Sequence, residues 1–108
     1  MEIVCIKNEN EIRRIDLNRI LAVTVEDYLC SFYIKNEENF TCTKSLKEVI
    51  LELPDFFVRI NRNCIVNKNR VKSVNFNERI ITLSNDLTFT ISARNLKLLK
   101  DNLISKAK

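Results

Sequence analysis

Residue types that often mark functional sites are missing or scarce in this 108-residue chain. It has no histidine, no glycine and a single proline. Without histidine the chain lacks the commonest general base and metal ligand. Without glycine it cannot build a glycine-rich phosphate-binding loop. The carboxylates cluster in turn-like segments such as residues 36–39, where a solvated surface explains them. We therefore expect a protein that is not an enzyme and holds neither a metal nor another cofactor.

Because the chain has no glycine, other residue types must form its turns. Positions with a positive φ must be filled mostly by Asn or Asp, which tolerate that region best. Asparagines in polar clusters between apolar runs are therefore interpreted as turn formers: Asn8, Asn10, Asn36, Asn39, Asn77 and Asn85.

Long apolar runs are absent as well. Runs such as residues 20–23 are far too short to cross a bilayer, and the N-terminal segment has no signal-peptide pattern. We expect a cytoplasmic protein without membrane contact. The four cysteines lie 25, 12 and 22 residues apart, a spacing that matches neither a zinc site nor a redox pair. They are predicted to be reduced thiols that act as small apolar residues on strands.

Charge is distributed unevenly along the chain. Residues 1–58 carry seven Lys or Arg against eleven Asp or Glu, whereas residues 59–108 carry eleven against three. The overall net charge of +4 therefore hides an acidic first half and a basic second half. A basic half suggests a polyanionic partner, and nucleic acid is the commonest one.

Hydrophobic patterning predicts a mostly β domain with about eight to ten short strands and two helices. The first two strands form a hairpin in which Ile3, Cys5, Ile12 and Ile15 are the expected inward residues. A short turn capped by Asp16 follows. In a later strand, one face is expected to hold four alternate residues: Tyr28, Cys30, Phe32 and Ile34.

Two segments change to helical spacing. Apolar residues recur at Leu46, Val49, Ile50 and Leu53, Ser45 and Glu48 form a capping box, and Pro54 stops the helix. Near the C-terminus, Leu96, Leu99 and Leu103 line one side of a second helix, and Ser92 is its predicted cap.

The segments FVRINRNCIVNKNRVKSV and ITLSNDLTFTISARNLKLL resemble the LytTR family of bacterial DNA-binding domains. The family pattern F-x-R-x-H-R-S-Y-x-V-N is kept at five positions of the first segment. The V-S-R-R that precedes the final helix in the family is kept approximately at Ser92 and Arg94 in the second segment. The five positions are Phe57, Arg59, Arg62, Val66 and Asn67. The resemblance covers about residues 2–104.

This resemblance implies a single domain over residues 1–108, built as an elongated stack of small antiparallel β-sheets, with about ten strands and one or two short helices. It also implies that loops enter successive major grooves on one side of a bent duplex. No receiver domain is expected, so the chain is either a stand-alone regulator or a fragment of a longer one. Departures at Asn61, Asn63, Cys64 and Asp86, where the family usually has His, Ser, Tyr and Gly, indicate that the preferred DNA sequence differs from that of better known members.

Three consecutive polar residues, Asn61, Arg62 and Asn63, interrupt otherwise good β sequence. They cannot all occupy one face of a strand, so the chain turns there or presents them to a partner. Arginine pairs well with guanine, and asparagine with adenine. Alternatives are a turn with a surface salt bridge and, for residues 92–95, a simple helix cap. The predicted DNA-binding residues are Arg62, Arg94, Asn61, Asn63, Asn95, Lys97, Lys68 and Tyr28.

The leading hypothesis is a transcription regulator that binds specific sequences in double-stranded DNA, with a second protomer on an adjacent direct repeat. The alternative is a protein-interaction module that sequesters another LytTR-type regulator. A binder of single-stranded nucleic acid is disfavoured, because most aromatic residues lie on apolar strand faces rather than on a stacking platform.

Overall fold

The computed structural model describes residues 2–104. Over this range the chain forms ten strands and two α-helices, with short 3-10 turns at Leu17–Arg19 and Lys68–Arg70. The helices are α1 (Leu46–Glu52) and α2 (Ala93–Ile104). The strands are β1 (Ile3–Lys7), β2 (Ile12–Asp16), β3 (Ile20–Glu26), β4 (Leu29–Ile34), β5 (Phe40–Cys42), β6 (Phe57–Asn61), β7 (Cys64–Asn67), β8 (Val71–Asn75), β9 (Ile80–Leu83) and β10 (Thr88–Thr90).

The strands form three antiparallel sheets that stack in series. The middle sheet has the order β5-β4-β3-β7-β6, β1 and β2 form a separate pair, and the third sheet has the order β10-β9-β8. One face of the middle sheet packs against the β1–β2 hairpin and α1, through residues such as Ile6, Phe32 and Val49. The other face packs against the third sheet and α2, through residues such as Ile81 and Leu99. The predicted mostly β stack of small antiparallel sheets is confirmed.

Both predicted helices are confirmed, and the N-terminal cap of α1 is complete. The Ser45 side chain accepts a hydrogen bond from the Glu48 N–H, and the Glu48 carboxylate accepts one from the Ser45 N–H. These bonds hold the pKa of Glu48 below its usual value. In α2, Leu99 is buried and Leu96 packs against the same cluster. The predicted end of this helix beyond residue 104 lies outside the described residues.

The hairpin was predicted at the right place but with the wrong inward face. Ile15 is buried as expected, whereas Ile3 is 40% exposed, Ile12 is 69% exposed and Cys5 is also exposed. The inward residue of the first strand is Ile6, which is 2% exposed. Ile12 and Ile15 are three residues apart and therefore cannot share one face of a regular strand.

Turns use the residue types expected in a chain without glycine. Positive φ angles occur at Asp27, Asn36 and Asp86, as predicted for Asn and Asp, but also at Arg79. Asp27 and Tyr28 form the turn between β3 and β4, so Tyr28 is 85% exposed and does not continue the buried face of β4. That part of the prediction is wrong, because the strand begins only at Leu29.

The cysteines are free thiols in the structure. Cys30, Cys42 and Cys64 are buried on strands, as predicted, while Cys5 is exposed. Burial raises the pKa of both Cys30 and Cys64 to about 12. Within residues 2–104, no helix is both long and apolar enough to cross a membrane, and no three acidic, cysteine or histidine side chains cluster as metal ligands would.

Candidate functional site

The polar triplet in the sequence is a tight bend between two strands. Asn61 pairs with Cys64, so Arg62 and Asn63 form the tip. The Asn61 Oδ1 accepts a hydrogen bond of 2.7 Å from the Asn63 N–H, and the Asn63 carbonyl accepts one of 2.9 Å from the Val25 N–H. We call Asn61, Arg62 and Asn63 the bend. Its backbone is held locally and also tied to the centre of the sheet.

A second set of hydrogen bonds places the start of α2 beside the bend. The Ser92 N–H donates to the Ile60 carbonyl at 2.9 Å, and the Asn61 Nδ2 donates to the Thr90 carbonyl at 2.6 Å. The Ser92 hydroxyl accepts from the Asn95 N–H at 3.1 Å, as predicted for a helix cap. The two sequence blocks that carry the family resemblance therefore meet in space.

An open groove of about 990 Å³ lies where the two blocks meet, and we call it the main groove. The three bend residues line it together with Arg94 and Asn95, so five of the eight predicted site residues converge. Arg59, Arg62 and Arg94 are its cationic residues, and Glu26 is the one carboxylate among its lining residues. The groove is therefore electropositive.

The arginines at the tip and at the helix start are available to a partner. Arg62 and Arg94 are exposed, and no described residue accepts a hydrogen bond from either guanidinium or forms an ion pair with it. A turn closed by a surface salt bridge, the alternative expected from sequence, is therefore not what residues 2–104 form at the bend. The helix cap expected for residues 92–95 is present, but it does not engage the Arg94 side chain.

A smaller groove of about 530 Å³, the side groove, lies on the other side of the bend. Tyr28 lines it with Asp27 and Lys47, and Arg62 and Asn63 line both grooves. The bend is therefore a ridge with a concave surface on each side. Tyr28 therefore lines a groove with two other predicted site residues, Arg62 and Asn63, but it does not line the main groove.

The two predicted lysines do not line either groove. Lys97 is exposed on α2, three residues after Arg94, which places the two on neighbouring positions of one helix face. Lys68 follows the last residue of β7, at the end of that strand opposite the bend. Its role in DNA binding remains a prediction.

Sequence reasoning did not assign a role to three residues that line the grooves. Arg59 lies on β6 and lines both grooves, Glu26 ends β3, and Lys47 lies in the first turn of α1. For Arg59 a signal was present, because it is a charged residue between the apolar Val58 and Ile60 and matches the family pattern. Glu26 and Lys47 come from elements distant in sequence, so only the fold brings them here.

Comparison with known proteins identifies the family. The model of the LytTr DNA-binding domain matches residues 10–104. The chain belongs to the LytTR family. A similar solved structure is the LytTr DNA-binding domain of a methyl-accepting/DNA response regulator from Bacillus cereus, with a TM-score of 0.77 and 20% sequence identity over 96% of this chain and 97% of that chain. No curated protein sequence matches the chain.

Membership of the LytTR family makes this chain a DNA-binding domain and not a member of a catalytic family. At 20% identity, the Bacillus cereus structure supports the fold alone. Which residues of this LytTR domain contact DNA must therefore be argued from its own surface.

Proposed function

We propose that this LytTR domain is a bacterial transcription regulator that binds specific sequences in duplex DNA, with the bend and the start of α2 in a major groove. One observation carries the proposal. Arg62 and Arg94 lie 32 residues apart in the sequence, yet they line the same electropositive groove with no partner among residues 2–104. Two uncommitted arginines on a convex ridge and at an adjacent helix start fit the edges of base pairs.

The chemistry of the main groove supports base recognition rather than simple attraction to phosphate. Arginine donates two parallel hydrogen bonds to guanine O6 and N7, and asparagine does the same with adenine N6 and N7. Arg62, Arg94, Asn63 and Asn95 supply these groups. Glu26 can accept a hydrogen bond from the amino group of cytosine, a contact that phosphate does not offer.

Asn61 supports recognition in a different way. Its amide is engaged at both ends, with the Thr90 carbonyl and with the Asn63 N–H. We infer that it shapes the bend more than it reads a base. Tyr28 at the edge of the side groove and Lys97 on α2 extend the contact surface beyond the main groove.

The dimensions of the molecule are compatible with contacts in successive major grooves. Its longest extent is 41 Å, and one turn of B-DNA is about 34 Å. We propose that two protomers occupy direct repeats on one face of the duplex, with centres about 21 bp apart. Insertion of about 5 bp, half a helical turn, should then abolish cooperative binding. Cooperativity that survives this insertion would contradict binding on one face.

The test of specific recognition uses a duplex enriched by the wild-type protein from a randomised library, and a shuffled version of the same duplex. Arg62→Ala and Arg94→Ala should each weaken binding to the enriched duplex by about 1–3 kcal/mol and change binding to the shuffled duplex little. Arg14→Ala is the matched control, because Arg14 is exposed on the outer hairpin and lines neither groove.

Two results would overturn the proposal. Failure of the wild-type protein to enrich any duplex would exclude sequence-specific binding and favour the protein-interaction module. Equal losses on both duplexes for Arg62→Ala and Arg94→Ala would make these residues phosphate contacts, which carry no sequence information.

A further inference from the structure

Arg59 lies two residues before the bend, where the strand pairing is interrupted. It is exposed on β6, and the register between β6 and β7 shifts between Arg59 and Asn61. Its guanidinium turns toward the backbone of the bend. The Nε donates to the Asn61 carbonyl at 3.2 Å, and the Nη2 donates to the Arg62 carbonyl at 2.8 Å. A single planar group thus holds two successive carbonyls at the point where regular pairing fails.

This arrangement fixes the direction of Arg62. The two carbonyls belong to the peptide groups before and after Arg62, so their orientations determine the backbone conformation of that residue. The guanidinium fork is rigid and holds its donors in one plane. Holding both carbonyls therefore sets the direction in which the Arg62 side chain leaves the surface.

The hydrogen bonds that Asn61 and Val25 make at the bend act on different atoms. Asn61 binds the Asn63 N–H and the Thr90 carbonyl, and Val25 binds the Asn63 carbonyl. None of these bonds reaches the carbonyls of Asn61 and Arg62 that Arg59 holds. Since the Nε and Nη2 of Arg59 already donate to the protein, Arg59 is less able than Arg62 to offer two parallel N–H donors to a base.

We propose that Arg59 is a positioning residue for DNA recognition: it orients Arg62 and thereby gives the domain its sequence discrimination, without reading a base itself. This inference rests on the proposed function of the main groove. The inference assigns different roles to Arg59 and Arg62, although both line the same grooves and carry the same charge.

The decisive variant is Arg59→Lys in the full chain. Lysine keeps the charge but replaces the two-pronged donor with a single compact group that cannot hold two carbonyls in the same way. Arg19→Lys is the matched control, because the Arg19 Nη2 also donates to a backbone carbonyl, that of Lys35, and Arg19 lines neither groove. The probes are the duplex enriched by the wild-type protein and its shuffled version.

We expect Arg59→Lys to bind the shuffled duplex like the wild type, with the same salt dependence, and to lose about tenfold in preference for the enriched duplex, the lower part of what one bidentate contact is worth. In the protein without DNA, amide hydrogen exchange at Asn63 should become faster, because the bend is less ordered. Arg19→Lys should change neither quantity. Arg59→Gln has a side-chain amide that still offers N–H donors but carries no charge, so it should retain more of the preference than Arg59→Ala.

The outcomes distinguish failure of the inference from failure of the proposed function. Wild-type preference and wild-type exchange in Arg59→Lys would overturn the positioning role while leaving the proposed function intact. In Arg59→Ala, an equal loss on both duplexes would make Arg59 a phosphate contact and would also overturn the positioning role. If the wild type shows no preference between the two duplexes, the proposed function fails and this inference fails with it, whatever the exchange at Asn63.

Discussion

The two ends of strand β7 are built from the same side-chain chemistry but differ in which arginines the protein itself engages. At the bend, the Asn61 Oδ1 accepts from the N–H two residues later, and its Nδ2 donates to a distant carbonyl at 2.6 Å. At the other end, the Asn67 Oδ1 accepts from the Asn69 N–H at 2.9 Å, and its Nδ2 donates to the Ile20 carbonyl at 3.0 Å. In a chain without glycine, asparagine closes both turns.

The arginines near these two ends show the difference. Arg70, beside Asn67, donates from both Nε and Nη2 to the Asn18 carbonyl, at 2.8 and 2.6 Å, so its guanidinium joins two segments of the protein. At the bend, Arg59 does the equivalent work and leaves Arg62 without a described partner. A turn rich in Asn and Arg is therefore not by itself a recognition element. What distinguishes the bend is an additional arginine that the fold does not need.

The largest contrast should appear in stability when each asparagine is removed. Asn67 is 0% exposed, so Asn67→Ala removes the partners of the buried Ile20 carbonyl and of the Asn69 N–H and should lower the free energy of unfolding by about 2–4 kcal/mol. Asn61→Ala, at a half-buried position, should cost less than about 1 kcal/mol. Urea denaturation of both variants measures this. Equal losses would show that the bend is as much a part of the folded core as the opposite turn.

Replacing Arg62 with alanine should affect DNA binding but hardly stability, and replacing Arg70 with alanine should do the reverse. Arg62→Ala should weaken binding to the enriched duplex by about 1–3 kcal/mol and change stability by less than about 0.5 kcal/mol. Arg70→Ala should lower stability by about 1 kcal/mol through loss of its hydrogen bonds to Asn18, with the preference between enriched and shuffled duplex unchanged. A change in DNA preference for Arg70→Ala would mean that the end of β7 opposite the bend also reads bases.

Sequence patterns predicted the fold well where a periodic signal was long enough. The α1 helix and its capping box could be predicted, because Leu46 and Val49 show helical spacing and Ser45 and Glu48 mark the start. The inward face of the first hairpin was not predicted, since five-residue strands with apolar side chains on both faces fit either choice. Ile12 is exposed in spite of its hydrophobicity.

The candidate site was only partly predictable. The resemblance named Arg62 and Arg94, and the structure brings them to one groove. The role of Arg59 could not be predicted, because its hydrogen bonds go to backbone carbonyls whose direction depends on an irregular register. Lys47 and Glu26 join the grooves through tertiary packing alone. Local periodicity contains no information about such distant neighbours.

The dependence of stability on alkaline pH tests whether the end of β7 at the bend stays closed in the folded protein. Burial raises the pKa of Cys64, the first residue of β7, to about 12, above that of an unfolded cysteine, about 8.5. A raised folded-state pKa gives stability that is present below the unfolded value and is lost as pH rises toward the folded one. Between pH 8.5 and 10, Cys64→Ala should therefore lose about 1.6 kcal/mol less stability than the wild type.

Cys5→Ala is the control for this measurement, because Cys5 is exposed on the hairpin whereas Cys64 is buried. Its stability should change with pH as in the wild type. If Cys64→Ala also follows the wild-type curve, the thiol ionises while the protein is folded. The bend end of β7 would then open locally, and the main groove would not be a preformed surface.

The smallest effect expected is on the salt dependence of DNA binding, and it asks how far the contact surface extends from the bend. Lys97 lies on α2 near Arg94, whereas Lys68 lies at the opposite end of β7. If Lys97 contacts one phosphate, Lys97→Ala should reduce the slope of log K against log salt by about 0.9. It should weaken binding to enriched and shuffled duplexes alike, because a phosphate contact is independent of sequence. Lys68→Ala should change the slope less. An equal reduction for Lys68→Ala would place both ends of β7 against the DNA backbone, and the division between a recognition end and a structural end would no longer hold.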